Sequence, residues 1–219
     1  MKAPAVLATA LALLMSPLSA HAETFTFASW NIANLHHQTG VSLRPGSVAR
    51  RDVDYERLAA IGAQLQADVV ALQEVGSPAA LSRVFPADKY HLVVSDLYQA
   101  GDENRPPEQR DIFTALAISK ERFPEAPAVE SVRSLAIDHI SFDQRTSSFQ
   151  VRPTRSGILF EFNLNGHPVS FLGVHLKSFC HDFPLDVIED QNFFNGKAFP
   201  SRFDCRTLKA QLAVLESWI

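Results

Sequence analysis

Apolar residues along the chain fall mainly into short runs and alternating segments, which is the pattern of β-strands rather than of long helices. Six segments have the length and apolar content of strands, namely residues 25–31, 68–75, 90–96, 111–119, 157–164 and 168–176. The last two are joined by Asn165-Gly166-His167. An Asn-Gly pair between β-rich segments favours a hairpin, so we expect these two strands to be antiparallel neighbours.

Two further segments have the spacing of amphipathic helices. Residues 52–66 place two leucines and an isoleucine on one face, and either Asp52 or Asp54 is available as the N-cap. Residues 204–219 place three leucines and an isoleucine on one face, and Asp204 is the predicted N-cap. The first helix lies between two strand segments, so we expect a strand, helix, strand unit there.

The remaining segments 36–51, 101–110 and 121–128 are rich in Gly, Pro or charged residues and are predicted to be loops. Strands outnumber helices, and several neighbouring strands are expected to be antiparallel. This combination predicts an α/β fold, a mixed-sheet α/β sandwich in which two packed β-sheets are flanked by helices. The last predicted helix reaches the final residue without a C-cap or a following strand, so we expect the C-terminal part of the domain to be missing.

Residues 1–22 have a different character from the rest of the chain. Lys2 precedes an apolar run over residues 5–15, and the segment ends in Ala20-His21-Ala22, which is the layout of a secretory signal peptide. The run is too short for an ordinary transmembrane helix, although an uncleaved membrane anchor is the alternative. We therefore expect residues 23–219 to form one incomplete domain, periplasmic or secreted, monomeric, and without a membrane span after signal cleavage.

The charge balance narrows the classes of partner. The chain has a formal charge of −4 at pH 7, and loss of Lys2 makes it −5, from 19 basic and 24 acidic residues. An acidic chain does not attract nucleic acid through bulk charge, so a phosphate ligand would need a local basic cleft or a metal ion. Arg44, Arg50 and Arg51 could bind the phosphates of a nucleic acid or a lipid. A solvated charge cluster at the start of a helix is the alternative.

The two cysteines, Cys180 and Cys205, form an even pair in an exported chain, which predicts a disulfide. A loop of this size contributes roughly 3 kcal/mol in the chain-entropy model. The alternative is a thiolate metal site with His181, although no further ligands stand at a recognisable spacing. A zinc site formed by His36, His37 and His181 is a second alternative, but adjacent histidines in such a loop are usually surface residues.

Three polar residues stand at or near the ends of apolar runs, namely Asn31, Glu74 and His175. In sheet-based enzymes, side chains at strand ends face a shared crevice, so these residues are candidates for one site. They suit a hard cation such as Mg²⁺, which takes oxygen ligands and leaves positions for water and phosphate. Each also has a structural interpretation: a turn-forming Asn, the first solvated Glu of a loop, and a core His bonded to the backbone.

The stretches "ASWNIANL" (28–35), "DVVALQEV" (68–75) and "GVHLKS" (173–178) resemble, in order and approximate separation, the first three signature motifs of the endonuclease/exonuclease/phosphatase superfamily. That superfamily includes pancreatic-type deoxyribonuclease, apurinic endonucleases, inositol polyphosphate phosphatases and bacterial sphingomyelinases. The likeness extends over about residues 25–219. The cysteine pair and the last helix are similar to those of secreted bacterial members.

The resemblance implies a role for each candidate residue. Glu74 would bind Mg²⁺, with Mn²⁺ or Ca²⁺ as alternatives, and Asn31 would lie beside it, binding the metal or orienting phosphate or metal-bound water. His175 would be the catalytic residue at the scissile phosphate. Arg155 would contact that phosphate, and Arg152 is the alternative for this role.

The superfamily's later motifs, Gly-Asp-x-Asn and Ser-Asp-His, are absent, and Asp138-His139 precedes His175, which is the wrong order for the second motif. The resemblance implies an exported Mg²⁺-dependent phosphoric ester hydrolase, a phosphodiesterase or nuclease rather than a monoesterase. The ligand of such a hydrolase would be a phosphate ester substrate, and this substrate could be a nucleic acid. The alternatives are a phosphatase acting on a small or lipid phosphate, and a catalytically inactive, truncated phosphate-binding scaffold.

Overall fold

The computed structural model describes residues 24–143, 148–178, 180, 193–194, 197–198 and 201–218, so the predicted signal peptide lies outside it. The described helices are α1 (Asp52–Leu65), α2 (Pro78–Ser82) and α3 (Ser201–Glu216). The longer strands are β1 (Phe27–Leu35), β2 (Val69–Val75), β3 (Tyr90–Val94), β4 (Phe113–Ser119), β5 (Val129–Val132), β6 (Asp138–Asp143), β7 (Ser148–Pro153), β8 (Gly157–Leu164) and β9 (His167–Gly173). Two short strands, β10 (Phe193–Phe194) and β11 (Lys197–Ala198), pair with each other.

The first sheet is mixed and has the strand order β1-β2-β4-β3. β1 and β2 are parallel, whereas β4 is antiparallel to both β2 and β3. Parallel strands need a crossover connection, and α1 supplies it. The predicted strand, helix, strand unit is therefore confirmed.

The second sheet is antiparallel, with the order β5-β8-β9. β8 and β9 form the predicted hairpin, since Leu164 pairs with His167 across a two-residue turn. Asn165 and Gly166 have φ values of 52° and 85°, as the primed turns of tight hairpins require. A separate antiparallel ribbon is formed by β6 and β7. These mixed and antiparallel sheets with few helices confirm the α/β class.

The core lies on both faces of the first sheet. β2 is buried almost throughout, which explains its nearly continuous apolar sequence. On the face that the helices cover, Val70 and Leu72 belong to one apolar cluster with Phe85, which is fully buried. On the other face the first sheet contacts β8 through a cluster of Val69, Ala71, Leu116, Ile118, Ile158 and Phe160. Each such fully buried aliphatic or aromatic side chain contributes about 1.5–3 kcal/mol of transfer free energy.

Both predicted helix caps are wrong. Arg51, not Asp52 or Asp54, is the N-cap of α1, and the Asp54 carboxylate accepts a 2.9 Å hydrogen bond from the Arg51 backbone N–H. α3 begins at Ser201, so Asp204 lies inside its first turn. Asp204 instead contacts the segment that follows β9, a tertiary interaction that competes with capping.

The predicted disulfide between Cys180 and Cys205 is confirmed. It joins the segment after β9 to α3, across a sequence separation of 25 residues. Because both sulfurs are in the disulfide, the alternative thiolate metal site is excluded. Among the described residues, no helix is long and apolar enough to cross a membrane.

Candidate functional site

Glu74 stands in a bulge where β1 and β2 lose their regular pairing. Asn31 pairs with Gln73, and the next pair is Leu35 with Val75, so three residues of β1 lie opposite the single residue Glu74. The backbone of Glu74 is left-handed, with φ 63°, and the opposing residues Ala33 and Asn34 both have φ 55°. Left-handed backbone at residues other than glycine costs on the order of 1–3 kcal/mol and is frequent at functional sites.

This bulge supplies hydrogen-bond donors to the Glu74 carboxylate. Asn31 Nδ2 donates to Glu74 Oε1 over 2.9 Å. The backbone N–H and Nδ2 of Asn34 both donate to Glu74 Oε2, over 3.1 and 2.9 Å. Three donors leave part of the lone-pair capacity of a carboxylate unused, and the Glu74 side chain is 20% exposed. Asn34 was not among the predicted site residues.

Arg50 holds the same bulge from the other side. Its guanidinium donates to the carbonyl oxygens of Ile32, Ala33 and Asn34, over 2.6, 2.7 and 3.0 Å. Burial lowers the pKa of Arg50 from its ordinary value. Arg50 is therefore a structural residue of the bulge, and the prediction that it binds a ligand phosphate is not favoured by these contacts.

His175 reaches Glu74 from the second sheet. It follows β9, and its Nε2 lies 3.8 Å from Glu74 Oε1. Burial, followed by the charge of Arg155, lowers the pKa of His175 to about 4, whereas Glu74 acts in the opposite direction. The imidazole is therefore neutral at pH 7. Arg155 Nε and Nη2 each lie 3.4 Å from a ring nitrogen of His175, Nδ1 and Nε2 respectively, so the guanidinium faces the whole nitrogen edge of the imidazole.

Arg155 precedes β8, and the hairpin register explains why it meets His175. β8 and β9 pair antiparallel with Ile158 opposite Gly173, so residues just before β8 lie beside residues just after β9. Burial and then the charge of Arg44 lower the pKa of Arg155. The predicted residues Asn31, Glu74, Arg155 and His175 are thus brought together. Arg152, the alternative to Arg155, lies on β7 opposite His139.

A buried amide on α3, Gln211, supports both Arg155 and His175 and was not predicted from the sequence. Its side chain is fully buried. Gln211 Oε1 accepts a 2.8 Å hydrogen bond from the backbone of Lys177, two residues after His175. Its Nε2 donates to Leu135 O and Thr154 Oγ1, over 2.9 and 3.1 Å, and Thr154 directly precedes Arg155. A Gln on a predicted amphipathic helix gives no signal of such a role.

Asp204 anchors a second polar cluster near these residues. Its Oδ1 lies 2.8 Å from Lys177 Nζ and 3.1 Å from His139 Nε2. Burial, and then the charge of Lys177, lowers the pKa of His139. His139 Nδ1 lies 3.3 Å from Thr207 Oγ1. Both ring nitrogens of His139 therefore contact α3, and these contacts explain the residue without the role of a Ser-Asp-His motif.

The Glu74 carboxylate offers hard oxygen atoms, which suit Mg²⁺ better than zinc, whereas Asn31 and Asn34 present amide nitrogens that donate to it. Within the part of the chain that the structure describes, no cluster of three or more His, Cys, Asp and Glu residues is present. Mg²⁺ needs no such cluster, because it commonly takes one or two carboxylates together with water and phosphate. The Oδ1 of Asn31 accepts from the Ala33 N–H over 2.9 Å, which fixes the amide so that its nitrogen faces Glu74.

The alternative zinc site at His36 is disfavoured by its hydrogen bonds. His36 is 2% exposed, its Nδ1 accepts a 3.1 Å bond from Gln38 N, and its Nε2 lies 3.2 Å from Glu103 O. Both ring nitrogens are thus used within the fold. His181, the third predicted ligand, lies outside the described residues.

Comparison with known proteins does not assign a family, since no protein-family model and no curated protein matches the chain significantly.

Proposed function

We propose that the chain is an exported Mg²⁺-dependent phosphoric ester hydrolase of the endonuclease/exonuclease/phosphatase superfamily, and a phosphodiesterase or nuclease rather than a monoesterase. One observation supports this most strongly. Glu74 ends a buried strand in a strained bulge, and among the described residues its only ion-pair partner within 4.0 Å is His175. Because His175 is neutral at pH 7, the carboxylate lacks a directly contacting cation, as expected of a metal ligand.

The residues present fit a magnesium ion. Glu74 would hold it, and Mn²⁺ or Ca²⁺ could take its place. The amide oxygen of Asn31 accepts from Ala33 N–H, so the predicted role of Asn31 as a metal ligand is not favoured by its contacts. A bound Mg²⁺ would polarise a phosphoryl oxygen and stabilise charge on the leaving oxygen. Asn34 and Asn31 would orient the Glu74 carboxylate through their N–H groups.

Arg155 and His175 would bind the substrate phosphate. A guanidinium is always charged and matches two phosphate oxygens with parallel donors. The neutral imidazole of His175 keeps one ring N–H, which can donate a hydrogen bond to a phosphoryl oxygen without adding a full charge. Hydrogen-bond donors fixed where negative charge develops usually lower the activation barrier of such reactions more than any other single effect.

A diester is the better substrate for this site. Its phosphate carries one negative charge, whereas a phosphate monoester carries about −1.5 to −2 at pH 7. At this site the charges of Arg155 and Glu74 are opposite and His175 is neutral, so the protein groups offer no net positive charge to hold the second negative charge of a monoester. A phosphatase acting on a small or lipid phosphate, and an inactive phosphate-binding scaffold, are the competing proposals.

The same proposal covers the finer points of fold and location. We expect the two sheets that meet at Ala71 and Ile158 to be the layers of an α/β sandwich, because they share one apolar cluster. The Cys180–Cys205 disulfide supports an oxidising destination, either the periplasm or the outside of the cell. We expect a monomer.

The proposal is tested by hydrolysis of bis-p-nitrophenyl phosphate and plasmid DNA, with Mg²⁺ and with EDTA. Glu74→Gln and His175→Ala should each lower kcat/KM by at least about 100-fold, since each removes a group that stabilises the transition state. Glu161→Gln changes an exposed glutamate that accepts a hydrogen bond from Ser170 on the β8–β9 hairpin, and it is the matched control. If both site variants keep most of the activity, the assigned roles are wrong. Binding of Mg²⁺ and phosphate without hydrolysis would favour the scaffold.

A further inference from the structure

The three arginines of the loop over residues 36–51 have very different partners. Arg50 donates to three carbonyl oxygens of the bulge, and Arg51 lies 3.3 Å from the carboxylate of Asp54. Among the described residues, the guanidinium of Arg44 makes no hydrogen bond and no ion pair, and Arg44 is exposed. Of the three, Arg44 is therefore the one whose charge is available to a ligand.

Arg44 is held on a tight turn. Pro45 follows it, Gly46 has φ 78°, and the backbone N–H of Ser47 donates to Arg44 O over 3.0 Å. Pro in the second position and a left-handed Gly in the third are the features of a type II turn. The Ser47 hydroxyl adds two bonds, accepting from Arg44 N over 3.0 Å and donating to Arg44 O over 2.8 Å. The backbone that presents Arg44 is thus fixed.

The loop that contains this turn is tied to the rest of the domain. Arg110 Nη1 donates to Ser42 O over 2.9 Å, and the N–H of Gly40 donates to Arg50 O over 2.8 Å. Arg50 in turn holds the bulge beside Glu74. The position of Arg44 relative to Glu74 is therefore set by hydrogen bonds, not only by chain length.

An open cleft of about 440 Å³ lies between the turn and the candidate site, and it is lined by Asn34, Arg44, Pro45, Gly46, Ser47 and Glu108. Asn34 forms the shared wall, because its side chain also donates to Glu74 Oε2. The charge of Arg44 is close enough to lower the pKa of Arg155. Arg44 thus lines the cleft, while Arg155 lies beside His175 on the other side of Asn34 and Glu74.

We propose that this cleft is a second phosphate subsite, in which Arg44 binds the phosphate that neighbours the scissile one. The inference rests on the proposed function, which places the scissile phosphate at Arg155 and His175. It narrows the substrate to an ester with successive phosphates, such as a nucleic acid strand. Glu108, the exposed acidic residue of the cleft, opposes the bound anion and limits the affinity. Because the chain is acidic overall, these few local cations must provide most of the attraction.

The experiment is an NMR titration of the ¹⁵N-labelled chain with an unlabelled thymidine hexanucleotide in EDTA, repeated at several salt concentrations. The amides of Gly46 and Ser47 should shift. Arg44→Gln should raise Kd roughly tenfold, as expected for loss of one charge-assisted contact. The slope of log K against log salt should be about −1.4 for the unaltered chain, because each neutralised phosphate of a single strand contributes about −0.7. In Arg44→Gln the slope should become shallower, about −0.7, because one contact is lost. Glu108→Gln should tighten binding a few-fold.

Arg51→Gln is the matched control, because it removes the same charge from the same loop at a residue already paired with Asp54. Equal effects of Arg44→Gln and Arg51→Gln, or no binding of the hexanucleotide, would overturn the subsite. Hydrolysis of bis-p-nitrophenyl phosphate, which has a single phosphate, should decrease less in Arg44→Gln than hydrolysis of the hexanucleotide does. If that ester is not hydrolysed but oligonucleotide binding depends on Arg44, the proposed hydrolase fails and the subsite stands.

Discussion

At Glu74 the chain adopts a left-handed backbone conformation in a residue that has a Cβ atom, at the end of a strand buried on both faces. Such a conformation is kept only where the surroundings stabilise it, and here Asn31 and Asn34 donate three hydrogen bonds to the carboxylate. Arg50 fixes the opposing carbonyl oxygens. The local strain is consistent with a site in which the position of one carboxylate matters more than an unstrained backbone.

The protonation of a single residue, His175, gives a testable prediction. In the metal-free chain with EDTA, its imidazole should titrate near pH 4, because burial and the neighbouring Arg155 both disfavour the charged form. A folded pKa below the ordinary 6.5 means that acid favours the unfolded state. The stabilisation is complete above about pH 6.5 and is lost as pH falls to about 4, with a magnitude of roughly 3 kcal/mol.

Long-range ¹H–¹⁵N correlation spectra of the imidazoles measure this pKa, and His175→Gln assigns the resonance. The difference in unfolding free energy between the chain and this variant should shrink from pH 7 to pH 4. A midpoint near 6.5 for His175 would contradict the burial and the contact with Arg155 that the structure shows.

Asn31, Glu74 and His175 could be predicted as a group because a polar residue at the end of an apolar run is visible in the sequence. Asn34 and Gln211 could not. The role of Asn34 depends on a bulge that places three residues of β1 opposite one residue of β2. The role of Gln211 depends on how a helix packs against segments that are distant in the sequence.

At the scale of elements, α3 is the support for the His175 segment. Three of its residues contact that segment or its neighbours: Asp204 binds Lys177, Cys205 is bonded to Cys180, and Gln211 bonds to the Lys177 backbone. The helix thereby holds in place the residues that follow β9. Its amphipathic pattern predicts the helix itself but neither the contact of Asp204 with Lys177 nor that of Gln211.

Removal of the disulfide is therefore expected to weaken the whole domain. The double variant Cys180→Ser, Cys205→Ser should lose about 3 kcal/mol of unfolding free energy in the chain-entropy model. Urea denaturation followed by circular dichroism measures it, and the unaltered chain under reducing conditions is the matched control. The contrary result is that the double variant and the reduced chain each lose less than about 0.5 kcal/mol, a small fraction of the chain-entropy value. That result would show that Asp204 and Gln211 hold α3 without the cross-link.

Elements with strong apolar content could be predicted, whereas exposed ones could not. β2, β4, β8 and β9 are apolar enough to be recognised, and Asn165-Gly166 indicated the hairpin. The ribbon of β6 and β7 was missed because β7 is mostly exposed, so its apolar and polar residues show no clear division into core and solvent faces. β5 has only four residues and was missed for lack of length.

At the scale of the molecule, the candidate site exists only because the two sheets meet. Asn31 and Glu74 come from strands of the first sheet, and Arg155 and His175 flank the paired strands β8 and β9 of the second. The apolar cluster that joins Ala71 and Leu116 to Ile158 sets the distance between these two pairs. Sequence motifs that lie far apart along the chain therefore converge through packing rather than through local structure.

The most direct test of this account is calorimetric titration of the chain with Mn²⁺, which binds oxygen ligands as Mg²⁺ does. We predict one saturable site, lost in Glu74→Gln because the variant keeps the shape of the side chain but not its charge. Glu161→Gln, the exposed control, should bind Mn²⁺ as the unaltered chain does. Absence of binding, or equal binding by the Glu74→Gln variant, would contradict a metal-dependent hydrolase centred on Glu74.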